Sequence, residues 1–342
     1  MTSVATTLKD VAKLVGIHPA TVSRALNPRT SHLVNPATVA RVRKAAASLK
    51  YVPNPMASGL RTARSHTIGV VIPDLTNPLF PGMVRGIQDT LARAGYTPLL
   101  VNTDNDPEIE AHVVASLRAR RVDGFILATA RRDHPLLLEL SEKFPLVLIN
   151  RVTESGQFPS VTTDEMHGIR LAVDHLVALG HRAIAHIGGP AWSSTGYERA
   201  QAFSRAMKSH GLSTARRMAA VDAWSVESAR ETARALLAAQ PAITAVVAAN
   251  DQLALGAVAA GRSLKLRCPR ALSVTGYNDM PFMDIVDPPL TTVRVPQHDI
   301  GAEAARLLLS LLRDDAQSPV KHVRLTPELI VRGSTAPPLH GD

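Results

Sequence analysis

From residue 67 onward, short runs of Val, Ile, Leu and Ala alternate with longer segments whose apolar residues recur every three or four positions. The short runs predict strands over 68–72, 97–101, 124–128, 146–150, 183–187, 218–221, 245–249 and 272–275. The longer segments predict helices, among them 81–94, 108–118, 167–178, 196–209 and 226–239. Strands that alternate with crossover helices form parallel sheets covered on both faces. Two such sets predict two doubly wound α/β subdomains, with ligands expected at the carboxyl ends of the strands.

The first fifty residues have a purely helical pattern. Thr7 caps a helix with Asp10 at its third position, and Val11, Ala12, Leu14 and Val15 form the apolar side that Gly16 ends. After Ile17-His18, Pro19 opens a second helix where its missing N–H costs nothing, and Asn27-Pro28 stops it. Val22 and Leu26 face the first helix, which turns Pro19, Ala20, Thr21, Ser23 and Arg24 outward. A third helix begins at Asn35-Pro36 with a buried stripe of Val39, Val42, Ala46 and Leu49, leaving Arg41, Arg43 and Lys44 for phosphates. Two short helices joined by a tight turn form the helix-turn-helix, whose second helix enters the major groove. This head is all-α.

Charge supports that reading once it is located. The net charge of +9 comes entirely from residues 1–65, with ten basic side chains against Asp10; the other 277 residues are neutral. A basic head on a neutral body is the footprint of polyanion binding. The single cysteine, Cys268, forms no intramolecular disulfide and suits a reducing cytosol. No apolar run approaches the roughly 20 residues of a membrane span, and the N-terminus lacks a signal core, so a cytoplasmic protein is expected.

Enzyme chemistry finds no foothold. The first strand leads into Pro73-Asp74 without a G-x-G-x-x-G, and Gly188-Gly189-Pro190 lacks the Lys-Ser/Thr of a phosphate cradle. No serine sits in a G-x-S-x-G elbow, and no His/Cys cluster has metal-ligand spacing. No catalytic residue, metal or cofactor is therefore assigned.

Three blocks, Leu8-Lys9-Asp10-Val11-Ala12, Thr21-Val22-Ser23-Arg24 and Tyr51-Val52-Pro53-Asn54, closely resemble the lactose-repressor (LacI/GalR) family of bacterial regulators. The resemblance implies that Thr7, Pro19, Ala20, Thr21, Ser23 and Arg24 face DNA. Arg24 is the candidate reader of a guanine edge, with a phosphate contact as its alternative, and Ala20 offers only methyl contact. His18 stands where the family usually caps the helix with Ser or Thr. The resemblance makes residues 55–66 a hinge helix and linker rather than a plain linker. Asn54, Ala57 and Leu60 are then minor-groove residues, Leu60 the wedge between base steps.

The resemblance continues through Asp74-Leu75-Thr76-Asn77-Pro78-Leu79-Phe80, His175-Leu176-Val177-Ala178-Leu179-Gly180-His181, Asn250-Asp251-Gln252-Leu253-Ala254-Leu255-Gly256 and Pro289-Leu290-Thr291-Thr292-Val293. It implies a body of periplasmic-binding-protein type. Effector positions fall on Asp74, Asn77, Phe80, Asn150, Arg151, Thr195, Arg199, Trp224, Asn250 and Asn278. An exposed ion pair is the alternative for Arg199, and simple core for Trp224. Asn150 and Asn278 stand where several sugar-sensing relatives have Asp, and Val295 where Gln is frequent, which makes the cleft more tolerant of an anion.

The expected organisation is a headpiece over 1–54, a hinge over 55–66 and an effector-binding and dimerisation domain over 67–335. The N-subdomain covers about 67–161 and 293–323, the C-subdomain about 162–292 and 324–335. The expected function is a ligand-controlled repressor that binds a palindromic double-stranded operator as a homodimer, away from membranes. Its effector is a sugar, sugar acid or other small organic acid. Ten residues after Arg332, including Pro337-Pro338, leave no room for a tetramerising leucine-heptad helix. A transport-type binding protein would need an export signal and no basic head, and an enzyme on this fold would need a cleft nucleophile or base.

Overall fold

The computed structural model describes residues 6–27, 30–51, 64–313 and 321–339. The chain divides into two compact units, Met1–Ser65 and His66–Asp342.

In the first unit, helix α1 (Leu8–Val15) begins at Thr7, whose backbone N–H and hydroxyl both donate to the Asp10 carboxylate, at 2.8 and 2.7 Å. Gly16, at φ 72°, ends it in the left-handed conformation that glycine adopts without strain. Helix α2 (Pro19–Leu26) has Pro19 at its first position, and the His18 Nδ1 accepts the Ala20 N–H at 3.2 Å. Histidine thus caps this helix as Ser or Thr would. Helix α3 (Pro36–Ser48) is capped by the Asn35 side chain, which accepts the Ala37 N–H at 2.9 Å.

The core of the unit is Val11, Ala12, Val15, Val22, Ala25, Val34, Val42, Ala45 and Ala46, with Leu26, Val39 and Leu49 packed around it. Two expectations change here. Leu14 is 58% exposed, because two packing partners cover only the flank of α1 that carries Val11, Ala12 and Val15. Arg41 donates to the Val15 carbonyl at 2.9 Å, closing the C-terminal end of α1.

The second unit holds two six-stranded sheets. The first has the order β11-β5-β4-β3-β1-β2 and contains β1 (Thr67–Ile72), β2 (Thr97–Asn102), β3 (Gly124–Leu127), β4 (Leu146–Ile149), β5 (Ser160–Thr163) and β11 (His322–Leu325), all parallel. The second has the order β12-β10-β9-β8-β6-β7. Its strands are β6 (Ile184–Gly188), β7 (Met218–Ala220), β8 (Ala245–Ala248), β9 (Ser273–Asn278), β10 (Thr291–Arg294) and β12 (Glu328–Ile330). They are parallel except β12, which runs antiparallel to β10.

Helices α4 (Leu79–Arg93), α5 (Pro107–Ala119) and α6 (Pro135–Ser141) connect strands of the first lobe. Helices α7 (Glu165–Ala178), α8 (Ser194–Ser209), α9 (Val226–Ala239) and α10 (Asp251–Ser263) belong to the second, and α11 (Gln297–Leu311) returns to pack on α4. Strand β1 sends Ile68, Val70 and Ile72 into one core and Val71 into the other, the period-two division of a sheet covered on both faces. Strand β2 departs from that expectation: it is a sheet edge, with Leu100 40% exposed.

The chain passes between lobes three times: between β5 and α7, between β10 and α11, and between β11 and β12. Each passage follows a strand whose carboxyl end points at the other lobe. The strand ends therefore meet across one cleft.

Candidate functional site

On the headpiece, α2 presents Ala20 and Arg24 exposed, with Pro19, Thr21 and Ser23 half-buried beside them. Val22 and Ala25 turn into the core on the opposite side. Thr30 holds the exit of the helix by donating to the Arg24 carbonyl at 3.0 Å, which leaves the guanidinium unoccupied by that contact. Thr7 is exposed at the start of α1. An exposed helix face carrying Arg24 is an element that a major groove can admit. Asn54, Ala57 and Leu60, and the hinge over 55–66 as far as residue 63, lie outside the described residues.

In the second unit nine of the ten predicted effector residues line one pocket: Asn77, Phe80, Asn150 and Arg151 from the first lobe, and Thr195, Arg199, Trp224, Asn250 and Asn278 from the second. Leu79 joins them and was missed, although it stands in the same sequence block as Asn77 and Phe80. Asp74 does not. Its carboxylate turns back on its own loop to accept the Thr76 N–H and hydroxyl, at 2.8 and 2.6 Å. The carboxylate serves the turn.

Local structure explains how the others are held. Asn77 accepts the Leu79 N–H at 3.1 Å, and Asn250 caps α10 by accepting the Leu253 N–H at 2.8 Å. Asn150 (φ 63°), which follows β4, and Asn278 (φ 109°), the last residue of β9, have positive φ, where non-glycine residues are strained. The indole of Trp224 lies so close to Gly189 that a Cβ there would overlap its ring. Glycine at this position lets the aromatic lie flat in the pocket.

Arg199 lines the pocket, and its alternative reading as an exposed ion pair does not hold. It is 2% exposed, not a surface ion pair, and its Nε and Nη2 grip the Glu165 carboxylate at 2.6 and 3.0 Å. Its Nη1 donates to the Ala249 carbonyl at 2.6 Å and its guanidinium stacks 3.9 Å over Tyr277. Burial works against its charge, but Glu165 more than offsets that, and its pKa is raised. Arg151 has no such partner. Its Nη1 donates to Asn105 Oδ1 at 2.9 Å, its Nε has no acceptor, and burial with Arg131 beside it pushes its pKa down to about 10.

The lobes touch at the edge of this pocket. Arg131 and Arg151 lie 4.7 and 5.1 Å from the Trp192 ring, and Arg132 lies 3.9 Å over Tyr197. The Arg132 N–H donates to the Trp192 carbonyl at 3.1 Å, and the Val152 N–H to Ser194 Oγ at 2.9 Å. Sequence reading missed all of these contacts. The space enclosed is about 20 Å³, room for the centre of roughly one water. Hollows of about 330 and 280 Å³ open beside the crossover strands, and none of the predicted effector residues lines them. The unpartnered buried polar atoms of Arg151, Trp224 and Asn278 belong to the lining of the small pocket, not of these hollows. Among the described residues no group of His, Cys, Asp and Glu could hold a metal, and no helix is long and apolar enough to cross a membrane.

Comparison with known proteins gives the following. Residues 7–54 match bacterial regulatory proteins of the lacI family, and residues 173–335 match the periplasmic binding protein-like domain. The ribose operon repressor of Halalkalibacterium halodurans is 32% identical over 96% of this chain and 97% of its own. The HTH-type transcriptional repressor CytR of Escherichia coli (strain K12) is 32% identical over 97% and 96%. Among solved structures, the lac repressor dimer bound to operator and the anti-inducer ONPF superposes with a TM-score of 0.87, at 29% identity over 97% of this chain and 100% of that one. The complex of the transcriptional regulator CelR with cellobiose superposes at 0.73, with 30% identity over 96% and 99%.

Proposed function

The chain belongs to the lacI family of bacterial regulatory proteins and is a DNA-binding transcriptional regulator, and on that premise we propose how its two units divide the work. It acts in the cytoplasm as a homodimeric repressor of a palindromic operator and carries no catalytic activity. Arg24 reads a base edge, Ala20 gives methyl contact, and Thr7, Pro19, Thr21 and Ser23 fix the helix in the groove. Asn54, Ala57 and Leu60 add minor-groove contacts in the assembled dimer.

The effector is a small polar molecule, a sugar, sugar acid or other small organic acid, held between the lobes. The observation that carries this reading is the convergence of nine dispersed residues, from both lobes, on one buried pocket. Names among the relatives agree with it: a ribose operon repressor and a cellobiose complex. A pocket of about 20 Å³ admits such a ligand only when the lobes part. Effector binding therefore selects a different lobe orientation, and that difference is what operator affinity responds to. A two-fold dimer reads a two-fold site.

Footprinting on DNA upstream of the protein's own gene, with and without candidate metabolites, tests the whole reading. Protection that a metabolite alters is expected. A protein that protects no DNA in either condition refutes it.

A further inference from the structure

The two buried arginines of the cleft, Arg151 and Arg199, are not matched alike. Arg199 is matched by Glu165 in a two-pronged pair. The acid that acts on the buried Arg151 is Glu110, and that group is already engaged by the Thr129 hydroxyl and by His134 Nε2 at 3.4 Å. Arg131 spends its Nη2 on the Asn105 carbonyl and Arg151 its Nη1 on the Asn105 side chain, both neutral oxygens. Arg151 is 4% exposed, and among the described residues no carboxylate is in contact with it. A buried charge of this kind needs a counter-charge with hydrogen bonds to be stable.

The unpartnered atoms point the same way. Arg151 Nε, Trp224 Nε1 and Asn278 Oδ1 are buried, have no hydrogen-bond partner and belong to residues that line the same pocket. They call for an acceptor at the guanidinium edge, an acceptor at the indole and a donor at the amide oxygen. A carboxylate supplies the first with the planar geometry that suits a guanidinium, and hydroxyl groups supply both others. Leu79, Phe80 and the Trp224 ring offer apolar faces for the carbon skeleton between them.

Resting on the reading that this cleft holds the effector, we propose that the effector is a small hydroxylated carboxylate whose carboxyl group docks on Arg151 and whose hydroxyls meet Trp224 and Asn278. A neutral sugar leaves the cation unmatched. A phosphate brings more negative charge than the one unmatched cation answers.

Calorimetric titration of the full chain tests this with three matched series: three- to six-carbon hydroxy-carboxylates, the neutral sugars of the same skeletons, and their phosphates. The best carboxylate is expected to bind at least tenfold tighter than its neutral and phosphorylated counterparts. Arg151→Gln removes that preference. Asn150→Asp places a carboxylate beside Arg151 and lowers the acid-to-sugar ratio at least tenfold, so the proposal stays testable if the first variant folds poorly. Tighter binding of a neutral sugar or a sugar phosphate, abolished by Trp224→Ala, overturns the proposal and leaves the effector cleft standing. No binding by any series, or binding that ignores both Arg151→Gln and Trp224→Ala, overturns both.

Discussion

The headpiece and the sensor solve opposite problems. The headpiece carries all of the net charge on a core of nine small residues, and its proposed DNA-reading surface is an exposed helix face. The sensor is neutral, and its proposed effector site is a pocket built from buried polar groups. One site meets a charged polymer in water, where side chains need only be presented. The other meets a small molecule away from water, where every side chain must first be held by another. The sensor's site is thus bound up with its stability, whereas the headpiece's is nearly free of it.

The strongest test of that contrast is Arg199→Met. It strands the Glu165 carboxylate in the interior and should cost the sensor about 3–5 kcal/mol. Urea unfolding, followed separately for the two units, should show the loss in the sensor and none in the headpiece.

Acid gives the next largest effect. His186 is fully buried, donates from Nδ1 to the Val247 carbonyl at 2.8 Å and stacks on Phe203. Burial pushes its pKa down from 6.5 to about 4, so the fold favours the neutral ring. Its contribution is complete above pH 6.5 and is lost as pH falls toward 4, by roughly 3 kcal/mol. His186→Asn should flatten that part of the sensor's stability profile.

Arg24→Ala should weaken operator binding by about 1–3 kcal/mol, in fluorescence anisotropy on a symmetric site, without moving the sensor's melting. A change in sensor stability there would break the division between the units. The smallest effect concerns Asp10, an exposed carboxylate that Thr7 holds below its usual 3.8 through the backbone and side-chain hydrogen bonds it donates. The cap it provides is present above pH 3.8 and fades as the pH falls through the lower folded value. Helical signal of the headpiece should decline there less steeply in Asp10→Ala.

The same contrast decides what was legible in the sequence. The headpiece site is local: Thr7, His18, Pro19 and Asn35 mark helix starts within a few residues of the groups they order. Local pattern likewise gave α9 its full extent, Val226–Ala239, and Ser225 caps it. Leu14 was misplaced because its exposure depends on which flank the other helices cover. In the sensor, β12 was missed because it has three residues and an antiparallel partner 36 residues away, Leu329 opposite Val293. Arg199 could be placed in the cleft through the family resemblance, but not its marriage to Glu165, 34 residues earlier. Asp74 was placed in the cleft by the family resemblance, which carries over a position but not a carboxylate's commitment to its own loop. What could not be read is pairing, which the fold alone decides.

The two tryptophans of the chain, Trp192 and Trp224, both belong to the cleft: one is stacked by guanidinium groups of the opposite lobe, the other lines the pocket with its indole nitrogen unpartnered. The headpiece has none. Red-edge excitation of the unlabelled protein therefore illuminates only the moving parts of the sensor. Trp192→Phe leaves a spectrum of the ligand pocket, and Trp224→Phe one of the contact between lobes. The molecule carries its own pair of optical probes, placed where occupancy and closure can be timed apart.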